Sequence, residues 1–313
     1  MVQNMAQMEM PATAAADGQR RIMVVYNPAA GPSRRKRLHA VLDRLRAGGC
    51  ALTIRETTRR GDAEEIARDA SAGDYDIIVA AGGDGTVNEV VNGMVAHGGD
   101  PPMLAIIPLG TANVLAFEIG LDPQDLARVA DTIAQGLPRT VHLGVANGRH
   151  FVLMAGAGLD AQVVEGINVH ATLKRHTGKL AYVVEGFRQA FGYDFPALQI
   201  RADGQVYEGR MAVACKGRHY GGPFVAAPGV TLEDPKLEVC ILPRKGLAGM
   251  LRYGLALPLG KLPDLPEVTL VSTRSLTIVG PRGAPVQADG DIVARLPAEI
   301  AIAKETVRLV VPT

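Results

Sequence analysis

Short apolar runs alternate with longer amphipathic stretches through the first half of the chain. Ile22-Met23-Val24-Val25-Tyr26, Ile77-Ile78-Val79-Ala80-Ala81 and Leu104-Ala105-Ile106-Ile107 read as buried strands. Residues 38–45, 63–70, 87–95 and 126–135 space their apolar positions at helical period. Such alternation predicts βα units, right-handed crossovers and a mostly parallel sheet. Pro138 marks the change: beyond it the pattern is mainly of strands, at residues 139–145, 150–154, 197–202, 205–214, 237–242, 267–270, 275–279, 299–303 and 307–311. Asn147-Gly148 and Asp203-Gly204 fall between pairs of these and predict tight hairpins. An antiparallel sandwich follows, interrupted by helical stretches at 161–170, 179–191 and 247–256.

Three of the first-half strands end in loops of small and polar residues. Asn27-Pro28-Ala29-Ala30-Gly31 follows the first, Gly82-Gly83-Asp84-Gly85-Thr86 the second, and Pro108-Leu109-Gly110-Thr111-Ala112-Asn113 the third. A strand that delivers a glycine-rich loop to a helix N-terminus presents free N–H groups and a favourable dipole to phosphate. Open parallel sheets build nucleotide sites at this carboxyl edge. Asp84 is badly placed to grip a phosphate itself, because like charges repel, so it reads as a metal contact or a proton acceptor.

Asn27-Pro28-x-x-Gly31, Gly82-Gly83-Asp84-Gly85-Thr86-x-Asn88-Glu89 and Pro108-Leu109-Gly110-Thr111-x-Asn113 resemble, in order and spacing, the signature of the diacylglycerol kinase catalytic family, which includes bacterial lipid kinases and sphingosine kinases. The resemblance runs on to Asp289 and covers nearly all of the chain after residue 20. It implies an α/β N-terminal domain with a mostly parallel sheet, of the NAD kinase and diacylglycerol kinase kind, joined to a β-rich sandwich. The division expected is a flexible leader at 1–20, an ATP-binding domain at 21–143 and an acceptor-binding sandwich at 144–313, with the last strand packing back on the first domain.

The same resemblance implies roles. Asn27, Pro28, Gly31, Thr57, Gly82, Gly83, Asp84, Gly85, Thr86, Asn88, Glu89, Gly110, Thr111 and Asn113 would surround ATP. In Asp289-Gly290-Asp291 the family carries Asp-Gly-Glu, which gives Asp289 the part of general base and puts Asp291 in place of the Glu; Asp84 is the alternative acceptor of the hydroxyl proton. The segment 227–237 resembles one that holds a structural Mg²⁺, with Asp234 and the carbonyls of Thr231 and Lys236 as ligands. Pro235 stands where the family has Gly. Mg²⁺ accompanying ATP would neutralise the transferring phosphate.

Global composition adds little. The chain of 313 residues has 33 Lys+Arg against 32 Asp+Glu, a formal charge of +1. Residues 20–60 are locally basic, and Arg34-Arg35-Lys36-Arg37 could face ATP phosphates, an anionic membrane or plain solvent. With no Trp and 4% aromatics, nucleic acid is not an expected partner. Cys50, Cys215 and Cys240 suggest neither a disulfide framework nor a zinc site, which fits a reducing cytoplasm. Residues 101–117 are uncharged but interrupted by Pro108 and Gly110, so they read as strand and loop rather than a membrane span.

The acceptor is expected to be a lipid met at the inner face of the membrane by peripheral contact, through residues 163–169, 182–195 or 247–257, and a homodimer remains an option. Two other readings stay open. One is an NAD kinase-like or other small-molecule kinase, since that superfamily shares Gly-Gly-Asp-Gly-Thr; the other is a non-catalytic nucleotide-binding regulator.

Overall fold

The computed structural model describes residues 19–28, 32–169 and 193–313. Its first half contains β1 (Arg21–Tyr26), α1 (Pro32–Ala47), β2 (Ala51–Glu56), α2 (Asp62–Ser71), β3 (Ile77–Gly82), α3 (Asp84–His97), β4 (Met103–Pro108), α4 (Val114–Glu118) and α5 (Leu126–Gln135). The strands pair in parallel in the order β2-β1-β3-β4. β3 is buried along its whole length, as expected of an unbroken apolar run covered by helices on both faces. α3 lies close against α2 because Gly93 has no side chain: a Cβ there would come within 2.2 Å of the Glu64 carbonyl oxygen. That contact fixes the direction in which α3 leaves the sheet edge.

The second half contains β5 (Leu137–Ala146), β6 (Arg149–Phe151), β7 (Met154–Gly158), α6 (Leu159–Val169), β8 (Leu198–Ala202), β9 (Gln205–Gly209), β10 (Met211–Cys215), β11 (His219–Tyr220), β12 (Phe224–Val225), β13 (Leu237–Leu242), α7 (Gly246–Ala256), β14 (Thr269–Thr273), β15 (Ser275–Val279), β16 (Pro285–Ala288), β17 (Asp291–Arg295) and β18 (Ala298–Val311). One antiparallel sheet has the order β14-β13-β10-β7-β16-β17. Packed against it are β18, β15 and β8, and Phe151, Leu198, Ile200, Val239, Ile241 and Val286 fill the space between. β8 alternates buried and exposed residues with period two, as a strand with one covered face must. Both Asn147-Gly148 and Asp203-Gly204 take positive φ and close hairpins.

β18 joins the two halves. Ile300–Ile302 pair with Gly144–Ala146, the register then shifts, and Thr306–Val311 pair with the start of β5. Leu309 also meets Leu104 in parallel, so one ten-stranded sheet runs through both halves. The two strands expected at 299–303 and 307–311 are therefore one. Conversely, the single strand expected at 205–214 is two, β9 and β10, in different sheets. At the crossing, a side chain on Gly209 would collide with Ile241. β7 escapes the pattern because Ala and Gly dominate it, yet it is the central strand between β10 and β16. The helix expected at 179–191 lies outside the described residues.

Leu309 is fully buried at the seam. Leu309→Ala is expected to lower stability by about 2–5 kcal/mol, read as a fall in Tm.

Candidate active site

The three small-residue loops lie together at the carboxyl ends of the parallel strands. Asn27 leaves β1 and donates its N–H to Ala81 O at 3.2 Å, and Thr57, nearly buried, leaves β2 and donates to Tyr26 O at 2.8 Å. Pro28 is exposed beside them; Gly31 lies outside the described residues. The second and third loops touch backbone to backbone: a Cβ on Gly110 would sit 2.5 Å from the Cα of Gly83, which explains glycine at both positions. Leu109 N donates to Gly82 O at 2.8 Å beside this contact. Asn113, in the left-handed region, accepts from Gly110 N at 2.7 Å and donates back to Gly110 O, fastening its own loop. Arg34 on α1 donates to the Thr111 hydroxyl at 3.2 Å, so one member of the basic run reaches this edge.

Gly83 is the N-cap of α3, and Asp84 is its first residue. Thr86 and Asn88 are buried in the opening turns of this helix. Asp84 Oδ1 accepts from Leu115 N, at the start of α4, over 3.4 Å, and the N–H groups of Val114 and of Asp84 itself also favour its carboxylate. Burial raises this carboxyl to about 6, helped by the neighbouring Asp289 and opposed by the backbone N–H groups. Glu89 takes a different part. Its carboxylate accepts from the backbone of Gly61 and Ala63, capping α2, while burial pushes its pKa up.

Asp289 is at the turn between β16 and β17, 7% exposed and with φ of 47°. Its carboxylate accepts four hydrogen bonds: Oδ1 from Leu153 N and Met154 N, both at 3.0 Å, and Oδ2 from Val152 N at 2.7 Å and Asn88 Nδ2 at 3.0 Å. All its lone pairs are engaged. Burial raises its pKa, and the four donors, which favour the ionised form, act against that. Asn88 and Asn92 also donate to His150 O at 3.0 and 3.1 Å, so α3 is stitched to β6 around the same point. Asp291, two residues on, pairs with Arg60 at 2.9 Å, and its Oδ2 lies 3.8 Å from where a Cβ on Gly85 would be. The structure thus brings Asp84, Asp289, Asp291, Gly85 and Asn88 to one junction between the halves.

The segment implied to hold a structural Mg²⁺ is elsewhere, and Asp234 and the Thr231 carbonyl are there engaged in hydrogen bonds. Asp234 Oδ2 accepts from the N–H and hydroxyl of Thr231, at 2.8 and 3.0 Å, closing a turn on itself. The Thr231 carbonyl already accepts Lys216 Nζ at 2.7 Å. Burial lowers Lys216 to about 8, with Asp234 pulling it back up. Among the described residues no group of three or more His, Cys, Asp or Glu side chains is placed to hold a metal. Lys216 and Arg60 are the contributions that motif reading missed. A lysine directly after the apolar run Ala212–Cys215 was the signal for the first; the second sits in the basic loop beside Thr57.

A parallel sheet with phosphate-type loops at its carboxyl edge, closed by a β-sandwich that supplies acids, is the architecture of a nucleotide-dependent phosphotransferase. The family model described as diacylglycerol kinase catalytic domain matches residues 21–146, and that of a YegS C-terminal NAD kinase beta sandwich-like domain matches 154–311. A Bacillus subtilis diacylglycerol kinase is 29% identical over 94% of this chain and 97% of its own length. One from Staphylococcus haemolyticus is 32% identical over 92% of this chain and 87% of its own. A crystal structure of a diacylglycerol kinase from Bacillus anthracis superposes with a TM-score of 0.76 at 26% identity, covering 95% of this chain and 98% of that one. The chain belongs to the diacylglycerol kinase catalytic family. It is an ATP-dependent lipid kinase, a phosphotransferase with an alcohol acceptor.

The two acids should respond oppositely to amidation. Asp84 titrates above its ordinary value of 3.8, so between the two values the folded state holds more protons than the unfolded, and stability falls as pH rises through about 6. Asp84→Asn is therefore expected to raise Tm by a few degrees at pH 8 and leave it unchanged at pH 4. Asp289→Asn turns an NH₂ group toward backbone donors and should cost about 3 kcal/mol, a loss of Tm at pH 8.

Proposed function

We propose that the acceptor is the free hydroxyl of diacylglycerol or a closely related lipid, and that Asp84 takes its proton. The observation that carries this assignment is the contrast between the two acids at the junction. Asp289 has no lone pair to offer, whereas Asp84 accepts only from backbone N–H groups around the start of α4, is part exposed and titrates at about 6. As the lipid oxygen bonds to the γ-phosphorus and the bond to ADP breaks, the hydroxyl proton passes to Asp84. Asp289 is a positioning residue, and its anion helps keep the Asp84 carboxyl basic.

The nucleotide would lie over the carboxyl edge, with Asn27, Pro28 and Thr57 on one side and Thr111 with Arg34 on the other. Free N–H groups at the start of α3 would meet its phosphates. Asp291 has one oxygen on Arg60 and the other toward Gly85, which supports its holding Mg²⁺ carried in with ATP; that ion, when bound, would neutralise phosphate charge. Most of the rate then comes from positioning and charge, as in phosphoryl transfer generally.

Approach to a membrane is supported by α7 and the turn after it. Leu251, Leu255 and Leu259 are 42%, 65% and 69% exposed at four-residue spacing. Arg244 and Arg252 share Glu267, at 2.7 and 2.5 Å, which leaves net positive charge beside that stripe. A peripheral helix with an apolar face and flanking cations suits an anionic lipid surface. No described helix is long and apolar enough to cross a membrane.

The test is transfer of labelled γ-phosphate from Mg·ATP to a total lipid extract in mixed micelles, with NAD and no-acceptor controls. Label should appear in phosphorylated diacylglycerol, kcat should rise with pH through about 6 as one group ionises, and Asp84→Asn should lose about 10³-fold in kcat. Undiminished transfer by Asp84→Asn would remove it from the role; label only in NAD would move the acceptor to a soluble nucleotide. Leu255→Glu should weaken binding to anionic vesicles roughly tenfold while leaving kcat on a short-chain, monomeric diacylglycerol unchanged; equal vesicle binding would exclude this face.

A further inference from the structure

Lys216 is the one lysine with no exposed surface among the described residues, and nothing in phosphoryl transfer uses it. It follows β10, where its own N–H is held by Leu153 O at 2.7 Å. Its ammonium donates to two carbonyls of the segment that resembles a metal loop, Thr231 O at 2.7 Å and Leu232 O at 2.9 Å. Asp234 N also donates to Thr231 O, at 3.2 Å, and His142 N donates to Leu232 O at 3.0 Å. The carbonyls of Thr231 and Leu232 and one oxygen of Asp234 are each already satisfied by a proton donor. Two carbonyls with a carboxylate nearby make an oxygen-rich, negatively polarised cage, and such a cage demands positive charge.

We infer that Lys216 is the resident cation of this loop, a covalently attached substitute for a structural divalent metal, and that the loop keeps its shape without one. Pro235 agrees with this. A residue with fixed φ and no N–H is tolerable in a loop whose carbonyls are oriented by a tethered ammonium and need not swing to complete a coordination sphere. The ammonium also acts at a distance from the loop. Leu153 O accepts from the N–H groups of both Lys216 and Gly217, and Leu153 N donates to Asp289 Oδ1. One residue, Leu153, thus separates the cation's anchor from the carboxylate at the junction of the halves. Lys216 is in this sense a positioning residue whose charge is delivered by the chain itself.

The test uses nucleotide-free, full-length protein and reads folding and metal binding rather than turnover. Melting of the wild type in EDTA and in millimolar Mg²⁺ should give the same Tm, and Mn²⁺ should show no Asp234-dependent binding by electron paramagnetic resonance. Lys216→Met keeps the length and removes the charge. It should lose about 5–10 °C in Tm, because two buried carbonyls lose their donor. Lys216→Ala opens the cage, and its Tm should rise with added Mg²⁺ while that of Lys216→Ala/Asp234→Asn does not. A wild-type Tm that rises with Mg²⁺ and ceases to do so in Asp234→Asn would overturn the inference, as would a Lys216→Met protein that melts with the wild type. Should neither Lys216 variant fold, the wild type compared with Asp234→Asn decides alone.

Discussion

The carboxylate of Asp289 is the point on which the arrangement of the two halves depends. Asn88 reaches it from the first helix after the glycine loop, the turn from Val152 to Met154 reaches it from the sandwich, and its own hairpin carries it on a third element. A buried charge is tolerated only when such donors replace water, and four of them do so here. The same donors pin α3 against β6. Since α3 begins at the glycine loop, the carboxylate sets where that loop stands relative to the sandwich.

This anchoring has a chemical by-product. A carboxylate held in place by four donors, close to a second carboxyl, makes that second group harder to ionise, and Asp84 feels Asp289 in this way. The fold therefore converts a structural ion into basicity at the neighbouring site. The division of labour follows from hydrogen-bond supply: Asp289 is held by four donors on two other elements, and Asp84, held only by backbone N–H groups around the start of α4, is left to gain and lose a proton. Arg60 gives Asp291 a third fate by pairing it at the rim of the same junction.

What could be read from the sequence is what backbone geometry forces on residue type. Gly83 and Gly110 announce themselves because no other residue permits their loops to touch, and Asn-Gly and Asp-Gly mark hairpins because the turn needs positive φ twice. The parallel half was legible because strands buried on both faces have to be apolar throughout. Contacts made by main-chain groups were not legible. The donors to Asp289 are N–H groups more than a hundred positions away, and any residue could have carried them. Lys216 was hidden for a related reason, since a lysine after an apolar run looks like a strand reaching water, and its partners are carbonyls. β7 was hidden by its own smallness, for a strand of Ala and Gly between two others shows no periodicity.

The course of β18 has a mechanical meaning. Enzymes that join two domains by a flexible crossing can close like a jaw on their substrates, but here hydrogen-bonded strands run from one half into the other without interruption of the sheet. A bending moment between the halves would have to shear β18 against β5, and the place of least resistance is the slipped register between Ile302 and Thr306. The junction between the halves is thus braced by main-chain hydrogen bonds that run across it.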